Sequence, residues 1–540
     1  MYCQATGNGE VYACCPSTSN CRGSVEGNPV CADSAWSLWK GSYGNGFCCE
    51  IGLLGAFVNG GSVAGTCVTS VPATMSTAVL VTTGTATATT TVKTTSMTST
   101  SLTVATVTTT STVKSTSTSS SISQPTTTTG KPAFAHYMIG TITNDHCHQD
   151  IVDAQGLGID AFALNFDQFA SWSNTTVDNL FNNAEALGFK LFFSFDMSTG
   201  YFNDPNQYAS YLMQYISRSS YYTYDEKPLV TTFGGGSVST SQWNQFKSTV
   251  GSIVLIPAFY QTTPSSSFFS NNPALDGAFN WNSWASEGQG KIVVPTTDDE
   301  TYLQAAKSAG KLFIMGISPL QFKHIDSGQN WYLRGEANLE YRLGQALSLQ
   351  PDMLELQTWN DAGESHYMGN IWPEPISGSV IPDYTDGYDH TGYWQVLPSF
   401  IQAWKRGDTG TADMVPTNGA AAQGVFWHHT QLVSASCAPD QLGIGEPSGY
   451  QNAEDLVSGV ILVAKGQTGL IVTVTSGAST LGQATLAEGF NKFSFSGLTT
   501  GAVSVRVAQG SSTVISGTGP ISVSSSTSLC NFNFQVVGLA

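Results

Sequence analysis

The chain has 540 residues, 41% of them hydrophobic, enough for roughly two to four ordinary domains. Its 20 Lys+Arg against 38 Asp+Glu leave a formal charge of −18, which excludes general phosphate-field binding of nucleic acid. Only 11% of residues are charged, and polarity comes instead from Ser, Thr, Asn, Gln and Gly, side chains suited to neutral polymers rich in hydroxyl groups.

Eight cysteines fall in the first 67 residues: Cys3, Cys14, Cys15, Cys21, Cys31, Cys48, Cys49 and Cys67. So dense and even a set in a short segment reads as a disulfide framework in an oxidising compartment, so the protein is expected to be secreted, extracellular or cell-wall associated. A zinc cluster is the weaker reading, because the segment has no His and no paired C-x2-C ligands. No basic n-region or apolar h-region opens the chain, so a leader is expected to have been removed already. No apolar run is long enough to span a bilayer, and no membrane partner is expected. Residues 1–70 are read as a cysteine-rich module for carbohydrate or cell-wall binding. Its Trp36, Trp39 and Tyr43 form either a stacking platform for sugar rings or the module's own core.

Residues 71–131 are nearly all Ser and Thr, with too few large apolar side chains to offset the entropy of ordering. This composition reads as an O-glycosylated linker that tethers the module to the large C-terminal part of the chain.

Residues 132–407 alternate apolar runs with amphipathic stretches. Eight runs read as strands: 133–140, 160–166, 190–196, 227–235, 252–260, 275–281, 311–317 and 352–359. Several are continuous and bounded by turn residues, as buried parallel strands should be. Helical patterns lie between them, several opening on Asp, Ser or Thr. Three close on Gly just before a strand, in "LGIDAFAL", "LGFKLFFSF" and "AGKLFIMG". The count and size predict a (β/α)8 TIM barrel, with a doubly wound open sheet as the alternative. Residues 408–540 alternate apolar and polar residues between Gly-rich turns, which predicts a C-terminal β-sandwich accessory domain packed on the barrel. Cys437 and Cys530 are candidates for a further disulfide, leaving Cys147 as a buried thiol.

Barrel chemistry sits at the C-terminal ends of the strands. There the sequence places Asp167, Asp196, Tyr260, Trp281 and, after the eighth strand, "TWNDAGESHY" with Trp359, Asn360, Asp361, Glu364, His366 and Tyr367. Acidic residues converging with aromatics fit a glycosidase cleft, in which rings stack on sugars and carboxylates supply acid and base. Asp361 and Glu364 share one loop and are the candidate catalytic pair. Their i,i+3 spacing permits either stereochemical outcome. Metal readings are weaker: His146, Cys147 and His148 lack a clear third ligand, and "FGGGS" lacks the Lys-Ser/Thr of a phosphate loop. Neither a metal nor any other cofactor is expected. Asn174 heads an N-glycosylation sequon.

The ordered motifs "FAHYMIG", "GIDAFALNFD", "KPLVTTFGG", "DGAFNWNSW", "MGISPLQFKH", "NWYLRGEANLEYRLGQAL" and "LELQTWNDAGESHYMGNIWPE" resemble glycoside hydrolase family 71, the fungal α-1,3-glucanases or mutanases. The resemblance runs from about Pro132 into the C-terminal β region. It implies a barrel with an accessory β domain, endo-hydrolysis of α-1,3-glucan with inversion, and catalysis by Asp361 and Glu364. Glu364 is the expected acid and Asp361 the base, with the reverse order open. Asp196 and Asp276 are candidates for sugar binding or support of the pair. Trp281, Tyr260, Trp359 and His366 are expected to shape the subsites, with Asp167, Asn360 and Tyr367 also in the substrate-binding set. A monomer acting on polysaccharide is expected. The competing expectations are a glucan-binding protein without catalysis and a hydrolase of another glucan linkage.

Overall fold

The computed structural model describes residues 130–437 and 440–540 and, nearer the N-terminus, strand segments between positions 2 and 82. The chain divides into two compact units, Met1–Ser121 and Ile122–Ala540.

In the first unit a five-stranded sheet runs in the order Tyr2–Thr6, Val11–Cys15, Gly46–Cys49, Ser37–Lys40, Val79–Thr82. Its last strand lies past residue 70, because Val79 and Leu80 find ladder partners in Lys40 and Trp39. The ordered sheet thus takes in chain whose composition reads as linker. Cys49 and Cys67 form a disulfide with Cα atoms 5.5 Å apart. Trp39 is only 8% exposed, which makes it core rather than platform. Trp36, Tyr43, the Ser/Thr tract beyond Thr82 and the sulfur atoms of the other six N-terminal cysteines lie outside the described residues.

The second unit is built on eight parallel strands: β1 (Ala133–Met138), β2 (Ala161–Phe166), β3 (Lys190–Asp196), β4 (Lys227–Phe233), β5 (Val254–Ala258), β6 (Gly277–Asn280), β7 (Leu312–Ile317) and β8 (Met353–Leu356). Their ladders run in the order β5-β4-β3-β2-β1-β8-β7-β6. The sheet curls until its ends meet, where the Asp276 N–H donates to the Leu255 carbonyl at 2.9 Å. This is the strand order of a (β/α)8 barrel with a seam between β5 and β6. Helices such as Asn144–Leu157, Ser171–Leu187 and Thr297–Ala309 fill the crossovers and close on left-handed glycines, Gly158, Gly188 and Gly310, with φ of 88°, 73° and 63°. Phe166 and Phe193 pack outward on the helix layer, against Tyr211 and Phe181. His136, Asn165 and Glu355, on strands of the same runs, meet one another inside the barrel.

The floor of the barrel repeats one device. Asp160, Asp276 and Asp352 each precede a strand and accept the backbone N–H of the preceding strand in the barrel wall, at 2.9, 3.0 and 2.9 Å. Asp276 also takes the Lys247 ammonium at 2.7 Å. It is therefore a floor residue, at the opposite end from the strand termini where chemistry is expected. The sequence expectation for it is corrected on that ground.

C-terminal to the barrel, Ala422–His429 and Leu456–Val463 lie in a four-stranded antiparallel sheet, which packs on a second one containing Leu470–Ser476 and Val503–Gln509. All sixteen residues of the first two strands are buried. Strand alternation explains why. Phe426, Val457 and Ile461 enter the core between the two sheets, whereas Val425, Trp427, Val460 and Leu462 join the barrel's own core. One sheet is thus a wall shared by both cores. Cys437 and Cys530 are bonded, and Cys147 is a buried free thiol. Among the described residues no helix is long and apolar enough to cross a membrane.

Candidate active site

The loop after β8 is closed by its own backbone. The Thr358 N–H reaches the His366 carbonyl at 2.6 Å, and the Met368 N–H returns to Thr358 at 2.8 Å. Within it Asp361 Oδ1 accepts the Glu364 N–H at 2.9 Å, and Thr358 Oγ1 accepts the Asp361 N–H at 2.8 Å. Ser365 sits in the left-handed region at φ 56°, a strained setting for a residue with a Cβ. That reversal lets both Glu364 and His366 face Asp361. His366 Nε2 lies 3.1 Å from Asp361 Oδ2 and 3.6 Å from Glu364 Oε2. One ligand atom from each of the three side chains falls within 4.8 Å of the others.

The two carboxyls are driven apart in acidity. Burial pushes Asp361 up, but the hydrogen bond and charge of His366, then Lys323, outweigh it and hold the carboxyl below its ordinary range. Burial and the neighbouring Asp361 charge raise Glu364. Such a separation suits one carboxyl to give a proton and the other to take one.

The rim gathers most of the expected residues. Asp196 accepts the Ser198 N–H and hydroxyl at 2.7 and 2.6 Å, and Asn165 Nδ2 at 3.4 Å. Burial and the Asp196 charge raise Asp167. Tyr260 stacks on Phe233 at 4.5 Å and is raised by burial and by the charges of Asp196 and Glu364, which places all three in one field. Trp281 stands edge-on to His136 at 4.7 Å and faces His366. Beside Asp361 a pocket of about 390 Å³ is lined by Met138, Trp172, Asn360, Gly363 and Ile381.

Two residues of the same loop turn away, and a third is spent on the backbone. Trp359 is buried between Phe162 and Trp394 behind the strands. The Tyr367 ring stacks on His390 at 4.0 Å, and its hydroxyl donates to the Tyr388 carbonyl and accepts from Asn533. Asn360 uses both ends of its amide on the Met138 backbone, at 2.7 and 3.1 Å, pinning the loop to β1. Trp359 and Tyr367 are packing residues rather than sugar contacts, because neither side chain reaches the cleft. His146 stacks on Trp372 and pairs with Glu374, so "HCH" carries a surface contact.

Several participants escape the sequence reading. His136 Nδ1 meets Glu355 at 2.7 Å inside the barrel, and His136 Nε2 meets Asn165 at 3.1 Å. The signal was a His and a Glu within continuous buried runs, where charge demands a partner. Gln321 donates to Glu364 Oε2, and Lys323 Nζ lies 3.4 Å from Oε1. Both come from a hairpin, Gln321–Asp326 with Gln329–Leu333, inserted after β7.

A parallel eight-strand barrel with two carboxyls of split acidity at its mouth is an arrangement suited to glycoside hydrolysis. The model of glycosyl hydrolase family 71 matches residues 129–540, and the chain belongs to that family. The glucan endo-1,3-alpha-glucosidase agn1 of Schizosaccharomyces pombe is 31% identical over 423 residues, 75% of this chain and 94% of that protein. A mutanase of Penicillium rubens is 30% identical over 419 residues, 75% and 88% of the two chains. The ascus wall endo-1,3-alpha-glucanase of Schizosaccharomyces pombe is 28% identical over 439 residues, 76% and 98%.

Proposed function

We propose that the protein is a secreted endo-acting α-1,3-glucanase in which Glu364 protonates the glycosidic oxygen and Asp361 activates water. The carrying observation is the pair itself: two carboxyls bridged by His366, one held low and one pushed up. The relatives' names supply the linkage. The clustered N-terminal cysteines support secretion. Incubation with a panel of glucans should release reducing sugar from insoluble α-1,3-glucan and not from β-1,3- or α-1,4-glucan. Release from another linkage alone would transfer the chemistry to that polymer. We assign residues 132–407 to catalysis, and the N-terminal module to adsorption on insoluble glucan, with the Ser/Thr tract as its tether.

The family resemblance favours inversion. Inverting pairs keep carboxyls ~6.5–9.5 Å apart to admit a water, and retaining pairs ~5–5.5 Å. One oxygen of each carboxyl lies within 4.8 Å of the other, so the pair is close enough to act on one glycosidic bond. Proton NMR of the first-formed sugar decides it: the β-anomer means inversion, the α-anomer retention.

The pH profile follows from the two shifts. The reaction needs Asp361 ionised and Glu364 protonated. Activity should fall on the acid side only below the ordinary aspartate value of 3.8, and on the alkaline side above the ordinary glutamate value of 4.5. An acid limb set above that aspartate value would contradict the assignment.

The pocket beside Asp361 is read as a glucosyl subsite with the Trp172 indole as its wall. Trp172→Ala should raise KM about 5–30-fold, the loss of one buried ring face at ~1–2 kcal/mol, with kcat little changed. An unchanged KM on oligosaccharides would remove Trp172 from the substrate path.

A further inference from the structure

The hairpin after β7 has two working faces. Side chains alternate along a strand, so Gln321 and Lys323 share one face, and Phe322 and His324 the other. The front face serves the catalytic loop. Gln321 and Lys323 reach the two oxygens of Glu364, and the Phe322 N–H donates to the Glu364 carbonyl at 2.9 Å.

The back face is gripped by the C-terminal β region. His324 is fully buried, with Nε2 2.9 Å from Asp440 Oδ2 and Nδ1 2.7 Å from Asn330 Oδ1. Asp440 is fixed in turn: its carboxylate accepts the Leu442 N–H at 2.7 Å and the Cys530 N–H at 2.8 Å, beside the Cys437–Cys530 disulfide. Asn330 donates to the carbonyls of Gly445 and Glu446, each at 3.2 Å. The Tyr332 N–H donates to the Ser448 carbonyl at 2.7 Å, and the Ser448 N–H to that of Asn330 at 3.0 Å. The Phe322 ring meets Tyr384 and Phe532. Burial of His324 and Asp440 makes their pairing obligatory, since either alone would be a costly unmatched group.

We propose that Asp440 and His324 are positioning residues for the reaction. From the C-terminal β region they fix, through the hairpin, where Lys323 and Gln321 stand against Glu364. The inference rests on reading Glu364 as the general acid. The groups that face Glu364 are Asp361 and His366 from its own loop, Gln321 and Lys323 from the hairpin, Tyr260 from the rim and the buried Tyr384. Of these only Lys323 carries a permanent positive charge. Its withdrawal should make Glu364 harder to ionise.

The test compares wild type, Lys323→Met and Asp440→Asn in the full chain. It reads kcat and KM across pH, together with carbodiimide labelling of Glu364 followed by mass spectrometry, which needs no turnover. Lys323→Met should raise the pH midpoint of Glu364 labelling and move the alkaline limb of kcat upward. Asp440→Asn, distant from substrate, should shift both in the same direction. It should also lower kcat by about 10–100-fold, the scale of a small misplacement at the reacting centre, with KM held within about twofold. If Asp440→Asn does not fold, His324→Gln, which keeps a donor toward Asp440, takes its place. A folded Asp440→Asn enzyme with unchanged kcat and unchanged labelling midpoint overturns the proposal while leaving the glucanase reading intact. A wild type that ignores α-1,3-glucan, yet whose Glu364 midpoint moves in Asp440→Asn, overturns the substrate and leaves this proposal standing.

Discussion

Asp361→Asn and Glu364→Gln should each lower kcat by about 10²–10⁴-fold, with KM within a few-fold of wild type. The substitutions are isosteric, and the amides can keep contacts with the Glu364 N–H and with Gln321, so the loop should hold its shape. What disappears is the proton traffic. The two variants differ in one respect. A glucosyl fluoride leaves without protonation, so Glu364→Gln should recover on that substrate, whereas Asp361→Asn should not, because its defect lies in activating the water. Recovery by Asp361→Asn instead would exchange the roles. Wild-type rates from both variants would remove the pair from the mechanism. His366 should stay next to Asp361 in Glu364→Gln, since its 3.1 Å contact does not involve the altered group.

The largest expected stability loss lies at Arg342. Its guanidinium is fully buried and grips both oxygens of Asp299, while Nε donates to the Gly316 carbonyl at 3.0 Å. Asn280 Nδ2 adds a 2.8 Å bond to the same Asp299. Four segments meet there: the end of β6, helix Thr297–Ala309, β7 and helix Leu339–Leu349. Arg342→Met should lose about 3–5 kcal/mol, because it strands Asp299 without a counter-charge. The urea midpoint measures this. Arg342→Met combined with Asp299→Leu should regain much of the loss, since an apolar pair of similar volume needs no compensation. A single variant as stable as wild type would mean that water reaches Asp299.

The barrel was legible because its strands are buried on both sides. Runs such as "KLFFSFD" and "KLFIMGI" therefore carry a nearly continuous apolar signal, and several helices stop at glycines. The proximity of Asp361 and Glu364 was legible because both sit in one short loop. Which way a loop side chain turns was not. Trp359 and Tyr367 look like sugar platforms by residue type, yet they are drawn inward by Phe162, Trp394 and His390, partners far off in sequence. Asp276 was misplaced by a strand boundary, because one residue before β6 belongs to the floor. The hairpin was hidden for a related reason. "LQFKHID" is too short and mixed to announce a strand, and its two faces gain meaning only from Glu364 on one side and Asp440 on the other.

The sheet containing Ala422–His429 and Leu456–Val463 has a consequence for how the enzyme can be handled and how it can evolve. A sheet with solvent behind it can be cut off or exchanged. This one has none, since Val425, Trp427, Val460 and Leu462 belong to the barrel's core. Excising residues 132–407 would lay that apolar face bare, and the fragment should aggregate rather than turn over substrate. The region that looks like an appendage is therefore not portable. Heat or denaturant should take residues 122–540 down in one cooperative step, and recombination within the family should succeed only where both halves travel together.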